Sequence, residues 1–71
     1  MMSEIKSQLG QRIREFRKTK NLSQEQLAHL SGLSRQYITD VERGTRNIAI
    51  VNIEKIAKAL EIPLSKLFDF K

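Results

Sequence analysis

Apolar residues recur along most of the chain at the spacing of one helical face. In the first segment Ile5, Leu9, Ile13 and Phe16 stand four, four and three residues apart, the period of an amphipathic helix. That helix is expected to end near Lys20 and Asn21, because basic side chains suit the carboxyl end of the helix dipole and Asn tolerates a left-handed cap. A second helix starts at once. Ser23 is a good N-cap, Gln26 three residues on completes a capping box, and Leu22 can staple against Leu27 across the cap. Gly32 ends it, since a left-handed turn is open to a residue without a β-carbon. The arrangement then repeats: Ser34 caps a third helix, Leu33 can staple against Ile38, and Gly44 is the stop. After the loop "GTRN", Ile50, Ile53, Ile56, Ala57 and Leu60 mark one face of a fourth helix. Pro63 suits the first turn of a brief fifth helix holding Leu64, Leu67 and Phe68. The expected fold is all-α, a compact five-helix unit.

Size and composition narrow this further. A chain of 71 residues makes one domain, and a single core of that size leaves only a few kcal/mol of stability. There is no cysteine and one histidine, so disulfides and thiolate metal sites are excluded as supports and self-association is the remaining one. No metal or other cofactor is expected. His29 reads as a solvated residue on the outside of the second helix. The N-terminal stretch has no apolar signal-peptide core, and no run approaches a membrane span, so a cytoplasmic protein without membrane contact is expected. No paired carboxylates, activated nucleophile or phosphate-cradling glycine loop speaks for an enzyme.

The net charge is +5 and the pI about 10.0, a balance that suits a nucleic-acid partner. Residues 1–46 carry nine basic and five acidic groups, whereas residues 47–71 carry four and three, so the excess lies with the first three helices. Two short capped helices joined by a glycine turn are the helix-turn-helix pattern, here spanning about residues 23–43. Leu27, Ala28, Leu33, Ile38 and Val41 form its apolar set, and Ala28 leaves the room that two closely crossing helices need. Gln24, Arg35, Gln36, Thr39, Asp40 and Arg43 are left to face away from the core. Arg35 sits at a helix start, where the dipole slightly disfavours a cation, which suggests an external acceptor. An arginine can bond guanine O6 and N7 together, and a glutamine can pair with adenine N6 and N7.

The segment "LSQEQLAHLSGLSRQYITDVERG" resembles the helix-turn-helix of the Cro and phage-repressor superfamily, the XRE-type regulators, and "NIEKIAKALEIPLSKLF" resembles that family's last two helices. The resemblance runs from about Gln8 to Phe68 and leaves no stretch for a separate effector domain. Within the superfamily, "SRQYITDVERGTRNIAIVNIEKIAKAL" is most similar to the controller proteins of restriction-modification systems, which are small dimeric transcriptional regulators. The family pattern implies base readout by Arg35, Gln36 and Tyr37, with Thr39 and Asp40 one turn further in. It implies phosphate contacts from Gln24, Ser34, Arg43, Arg46 and Asn47, and a buried ion pair between Arg17 and Glu42. Two roles stay open on the residues themselves. Tyr37 fits the core edge as well as it fits a phosphate or a thymine methyl. Asp40 stands where phage repressors commonly carry an amide, and either accepts from cytosine N4 or pairs with Arg43.

One recognition helix reads few base pairs, so the regulator reading calls for a homodimer on double-stranded DNA, with an operator of approximate two-fold symmetry. Ile48, Ile50, Val51, Ile62, Leu64 and Phe68 are the candidate interface, on dimerisation helices spanning about residues 49–68, and RNA polymerase is a further candidate partner. The competing reading is an antitoxin-type interaction module with secondary DNA binding. Antitoxins of this fold usually carry extra sequence to wrap the toxin, and none is evident here.

Overall fold

The computed structural model describes residues 4–70, so the ends of the expected 1–71 span lie outside it. The described residues form five helices and no strand: α1 (Glu4–Thr19), α2 (Gln24–Ser31), α3 (Arg35–Arg43), α4 (Ile50–Ala59) and α5 (Leu64–Leu67).

The caps expected from the residues are made by them. Ser23 Oγ accepts from the Gln26 N–H at 3.0 Å, and Gln26 Oε1 accepts from the Ser23 N–H at 2.8 Å, so two orphan donors of α2 are satisfied reciprocally. Ser34 Oγ accepts from the Tyr37 N–H at 3.0 Å at the start of α3. Gly32 takes φ 72°, and the chain turns there from α2 into α3. Asn21 takes φ 58° at the end of α1, as its tolerance of that region allows.

Leu9 and Ile13 of α1, Leu27 and Ala28 of α2, Ile38 and Val41 of α3, Ile53, Ile56 and Ala57 of α4, then Leu60 and Leu67, form one buried core. Phe16, Leu22, Leu33 and Tyr37 pack at its edge. The approach of α1 to α3 is unusually close. A β-carbon on Gly10 would lie 2.2 Å from the Val41 carbonyl oxygen and 2.8 Å from that of Glu42. Only a glycine lets the two backbones meet there. A similar contact closes the crossing at its end, where Gly44 meets Ser7.

Polar links pin the remaining ends. Arg12 stacks on Phe16, 4.8 Å from the ring centroid, and donates from Nη2 to the Lys66 carbonyl at 3.1 Å, which ties α5 to α1. Lys20 Nζ donates to Glu61 Oε1 at 2.7 Å, joining the carboxyl ends of α1 and α4. That hydrogen bond, aided by the ammonium charge, holds the Glu61 carboxyl below its usual range.

Three expectations need correction. Ile5 and Ile50 belong to the expected apolar faces of α1 and α4, yet they are 54% and 63% exposed. Gly44, where α3 ends, meets α1 at Ser7, so the first turn of α1 runs past the element that covers it; the buried stripe of α4 likewise begins one turn in, at Ile53. Pro63 lies at the N-cap of α5 with φ −64° and ψ 146°, one residue before the first turn, and Phe68 lies just past the end of that helix.

Candidate nucleic-acid interface

The geometry of the interface starts from a buried ion pair. Arg17 Nε donates to Glu42 Oε2 at 2.7 Å and Arg17 Nη2 to Glu42 Oε1 at 3.0 Å, a two-pronged contact between α1 and the last turn of α3. Arg17 Nη1 donates to the Leu22 carbonyl at 2.8 Å, so the same guanidinium also holds the chain where it enters α2. With side-chain exposures of 11% and 4%, the two charges are desolvated together, and their partners satisfy most of their hydrogen-bonding capacity.

Gln24 extends this cluster rather than facing solvent. Its Nε2 donates to Glu42 Oε1 at 3.1 Å, and its Oε1 accepts from the Thr39 hydroxyl at 2.9 Å. The expectation that Gln24 and Thr39 both face freely outward is therefore wrong. Both are half-buried, because the Glu42 carboxylate has acceptor capacity left after Arg17 and the Gln24 amide fills it. The outcome is a polar bridge from the first residue of α2 to the middle of α3, which fixes the angle between the two helices.

A second set of contacts braces α3 from the other side. Gln36 Nε2 donates to Asp40 Oδ1 at 2.9 Å, and Arg46 Nη2 lies 3.5 Å from Asp40 Oδ2. The Arg46 guanidinium stacks over Tyr37 at 4.7 Å from the ring centroid, and the Tyr37 hydroxyl accepts from Asn52 Nδ2 at 3.1 Å. Asp40 thus pairs with Arg46 and Gln36, not with Arg43 as its spacing suggested. The loop after α3 folds back, with Thr45 N–H donating to the Asp40 carbonyl at 3.1 Å, and this brings Arg46 alongside. Tyr37 is half-buried with its ring on the core edge and its hydroxyl in this network.

What remains open is the leading end of α3, where, among the described residues, Arg35 has no side-chain partner and the Gln36 side chain is bonded only to Asp40. Arg35 and Gln36 are exposed, and their backbone N–H groups belong to the first turn, which has no intrahelical partner. Among the described residues, the Arg35 and Arg43 side chains make no hydrogen bond or ion pair. Arg17, Ser23, Gln24, Glu25 and Arg35 line a shallow recess between the N-termini of α2 and α3. Asn47 is exposed in the loop that follows. The recess brings the free first-turn N–H groups of α2 and α3 together with the Arg35 guanidinium, donors of the kind that an anionic polymer with readable polar edges requires.

The helix-turn-helix family profile designated HTH_3 matches residues 13–67 of the chain. The protein belongs to this XRE-type helix-turn-helix family. Its match spans all of α2, α3 and α4, and the family is one of DNA-binding transcription regulators rather than of enzymes. The chain is 49% identical to the control protein C.BamHI of Bacillus amyloliquefaciens over 71 residues, 99% of this chain and 88% of that one. It is 44% identical to the control protein C.MunI of a Mycoplasma species over 68 residues, covering 94% and 92% of the two chains. The crystal structure of the restriction-modification controller protein C.AhdI from Aeromonas hydrophila superposes with a TM-score of 0.88 at 56% identity, over 89% of this chain and 96% of that one. Among the described residues no helix of this helix-turn-helix protein is long and apolar enough to cross a membrane.

The candidate dimer residues divide. Ile50 and Val51 are 63% and 58% exposed and, with Glu54 and Leu64, line a shallow apolar recess at the start of α4. Ile48, Ile62 and Leu64 pack against the core, whereas Phe68 is exposed, with an edge-on contact at 6.1 Å to Phe70, which packs against the core. Reasoning from the sequence missed Gly10, Arg12 and Asn52. Asn52 carried no periodic signal, being one polar residue between Val51 and Ile53; a glycine inside an otherwise regular helix was a signal at Gly10.

Proposed function

We propose that the protein is a sequence-specific transcription regulator that binds duplex DNA as a homodimer and controls a restriction-modification locus, its own gene included. The observation that carries this reading is the open leading end of α3, where Arg35 is exposed without a side-chain partner among the described residues and Gln36 is exposed with only its bond to Asp40. In this reading α3 enters the major groove end-on. Arg35 bonds guanine O6 and N7, and Gln36 bonds adenine N6 and N7. Tyr37, Thr39 and Asp40 line the same face of the groove. Ser34 and the N-terminus of α2 at Gln24 meet one phosphate strand, and Arg43, Arg46 and Asn47 meet the other.

The dimer contact is formed by α4 and α5 around Ile50, Val51 and Phe68, the large apolar side chains left exposed there. A two-fold dimer places its α3 helices in successive major grooves, about 34 Å apart, on an operator of matching symmetry. Repression or activation then follows from where the operator lies relative to the promoter and to RNA polymerase. The relatives named as control proteins of restriction-modification systems support that role, since they match almost the whole chain.

The test compares Arg35→Ala with Arg43→Ala. Loss of a base contact weakens binding to the cognate operator while binding to random duplex is nearly retained; loss of a phosphate contact weakens both alike. Arg35→Ala is expected to behave in the first way and Arg43→Ala in the second. Equal losses on both DNAs from Arg35→Ala would refute base readout from α3.

A further inference from the structure

We infer that Asp40 is a positioning residue for Gln36, setting the orientation of its amide and thereby the base it accepts. The inference rests on the reading of α3 as the base-reading helix and adds the residue that selects adenine.

A carboxylate oxygen can only accept, whereas the end of a glutamine offers an oxygen on one side and an NH2 on the other. Asp40 Oδ1, 2.9 Å from Gln36 Nε2, therefore settles which way the amide faces: the nitrogen turns toward Asp40. One of its two hydrogens is spent there. With the hydrogen anti to Oε1 bonded to Asp40, the second hydrogen and Oε1 remain side by side on one edge of the amide. A donor beside an acceptor complements the N7 acceptor and N6 donor of adenine, while guanine offers two acceptors on that edge. Flipped, the amide would lose its bond to Asp40 and set two oxygens against each other.

Asp40 is itself held so that it can perform this task. Its side chain is 22% exposed, whereas Gln36 in front of it is exposed. Oδ2 lies 3.5 Å from Arg46 Nη2, and the guanidinium is fixed over the Tyr37 ring, whose hydroxyl Asn52 holds from α4. The Asp40 carbonyl accepts from both the Thr45 N–H and the Thr45 hydroxyl, at 3.1 and 3.2 Å. One carboxylate oxygen is thus braced from behind and the other orients the reader. In the proposed complex Arg46 would also offset repulsion between this carboxylate and the DNA phosphates. Both oxygens have partners within the protein, so direct acceptance from cytosine N4 is the poorer use of the residue.

Selection from a randomised duplex pool tests this with the full chain and its Gln36→Ala, Asp40→Asn, Asp40→Ala and Gln36→Ala/Asp40→Ala variants, all checked for folding by thermal melting. The wild type is expected to enrich adenine at one position of each half-site, and Gln36→Ala to make that position indifferent. Asp40→Ala should reduce the adenine preference there by roughly 3- to 10-fold, the worth of one net hydrogen bond, and leave the other positions as they were. Asp40→Asn, nearly the same shape but able to donate, should admit the flipped amide and broaden the choice at that position alone. The double variant should match Gln36→Ala. An unchanged adenine preference in Asp40→Ala overturns the inference. So does a change at a position that Gln36→Ala leaves alone, which would make Asp40 a direct reader, and so does a uniform loss at every position, which would make it merely structural. If Gln36→Ala alters no position, the reading of Gln36 as a base contact fails first, an outcome distinct from a positive Gln36→Ala with a neutral Asp40→Ala.

Discussion

Gly10→Ala isolates the feature on which the aim of α3 depends. In an ordinary helix interior this substitution stabilises by about 0.5–1 kcal/mol, because glycine loses more backbone freedom on folding. Here the added methyl group would lie 2.2 Å from the Val41 carbonyl oxygen, 2.8 Å from the Glu42 oxygen and 3.0 Å from the Glu42 carbonyl carbon. An ordinary contact starts at 3.4 Å, so the worst overlap is about 1.2 Å and falls on backbone that no rotamer change can move. Helix α1 must retreat from α3 by a comparable distance. That loosens Leu9 and Ile13 against Ile38 and Val41, and it stretches the Arg17 to Glu42 bonds now at 2.7 and 3.0 Å.

Overpacking a well-filled core costs about 1–3 kcal/mol, and weakening a buried ion pair adds to it. Set against the helix-propensity gain, a net loss of about 2 kcal/mol is expected. For a domain of this size that lowers the melting temperature by about 8–16 °C. Circular dichroism melts at one fixed protein concentration would measure it, since the proposed self-association would make the midpoint depend on concentration. Gln11→Ala, at the exposed neighbouring position of the same helix, is the control and should change little. A Gly10→Ala protein that melts at or above the wild-type temperature would show that the α1 to α3 contact is not tight, and the account of how α3 is aimed would fall with it.

Other outcomes follow from the same contacts. Arg17→Met should cost about 3–5 kcal/mol by leaving the Glu42 carboxylate, 4% exposed, with the Gln24 amide as its remaining side-chain partner. Pairing it with Glu42→Leu should recover much of the loss in a denaturant double-mutant cycle, and strict additivity would contradict the pairing. Operator affinity should fall steeply with salt, with a log–log slope near about −7 for a dimer meeting roughly 8 phosphates; a flat response would point to a protein partner instead. Ile50→Asp should weaken the dimer by at least about 100-fold in sedimentation equilibrium, since burying one isoleucine is worth about 1.5–3 kcal/mol and a two-fold interface loses it twice. An Ile50→Asp protein that associates as strongly as the wild type would place the interface elsewhere.

The local part of this structure was legible in the chain. Ser23 with Gln26, Ser34 and Gly32 each act within four residues of their own position, so a one-dimensional pattern contains what decides them; Gly44 caps α3 in the same local way but also meets Ser7, which no local pattern shows. Ile5 and Ile50 misled because helical period tells which face a residue shares, not whether another element reaches that far along it. Glu61 takes a left-handed φ of 59° without being glycine or asparagine, in the turn that the Ile62 N–H closes onto the Ala57 carbonyl, and its carboxylate meets Lys20, 41 residues away in the chain. The helices of the proposed interface were legible in the chain, and which of their side chains are bonded internally was not. Gln24 is bonded to residues 15 and 18 positions away, Asn52 to one 15 positions away, and no spacing rule covers such separations.

That difference has a consequence for how the surface should be read. Polar residues around α3 are not equivalent: Thr39 and Asp40 on it, and Gln24 at the start of α2, spend polar atoms inside the protein, where they link α2 to α3 and bond Gln36. Each such bond costs side-chain freedom during folding, before DNA arrives, so less remains to be lost on binding. The residues without an internal partner are the ones whose polar capacity is reserved for something outside. On the leading end of α3 these are Arg35 and the remaining edge of the Gln36 amide. A helix braced on both flanks with its first turn left open can tell bases apart, because a misplaced donor cannot swing to a second partner and must stay unpaired, which is what makes the wrong base unfavourable.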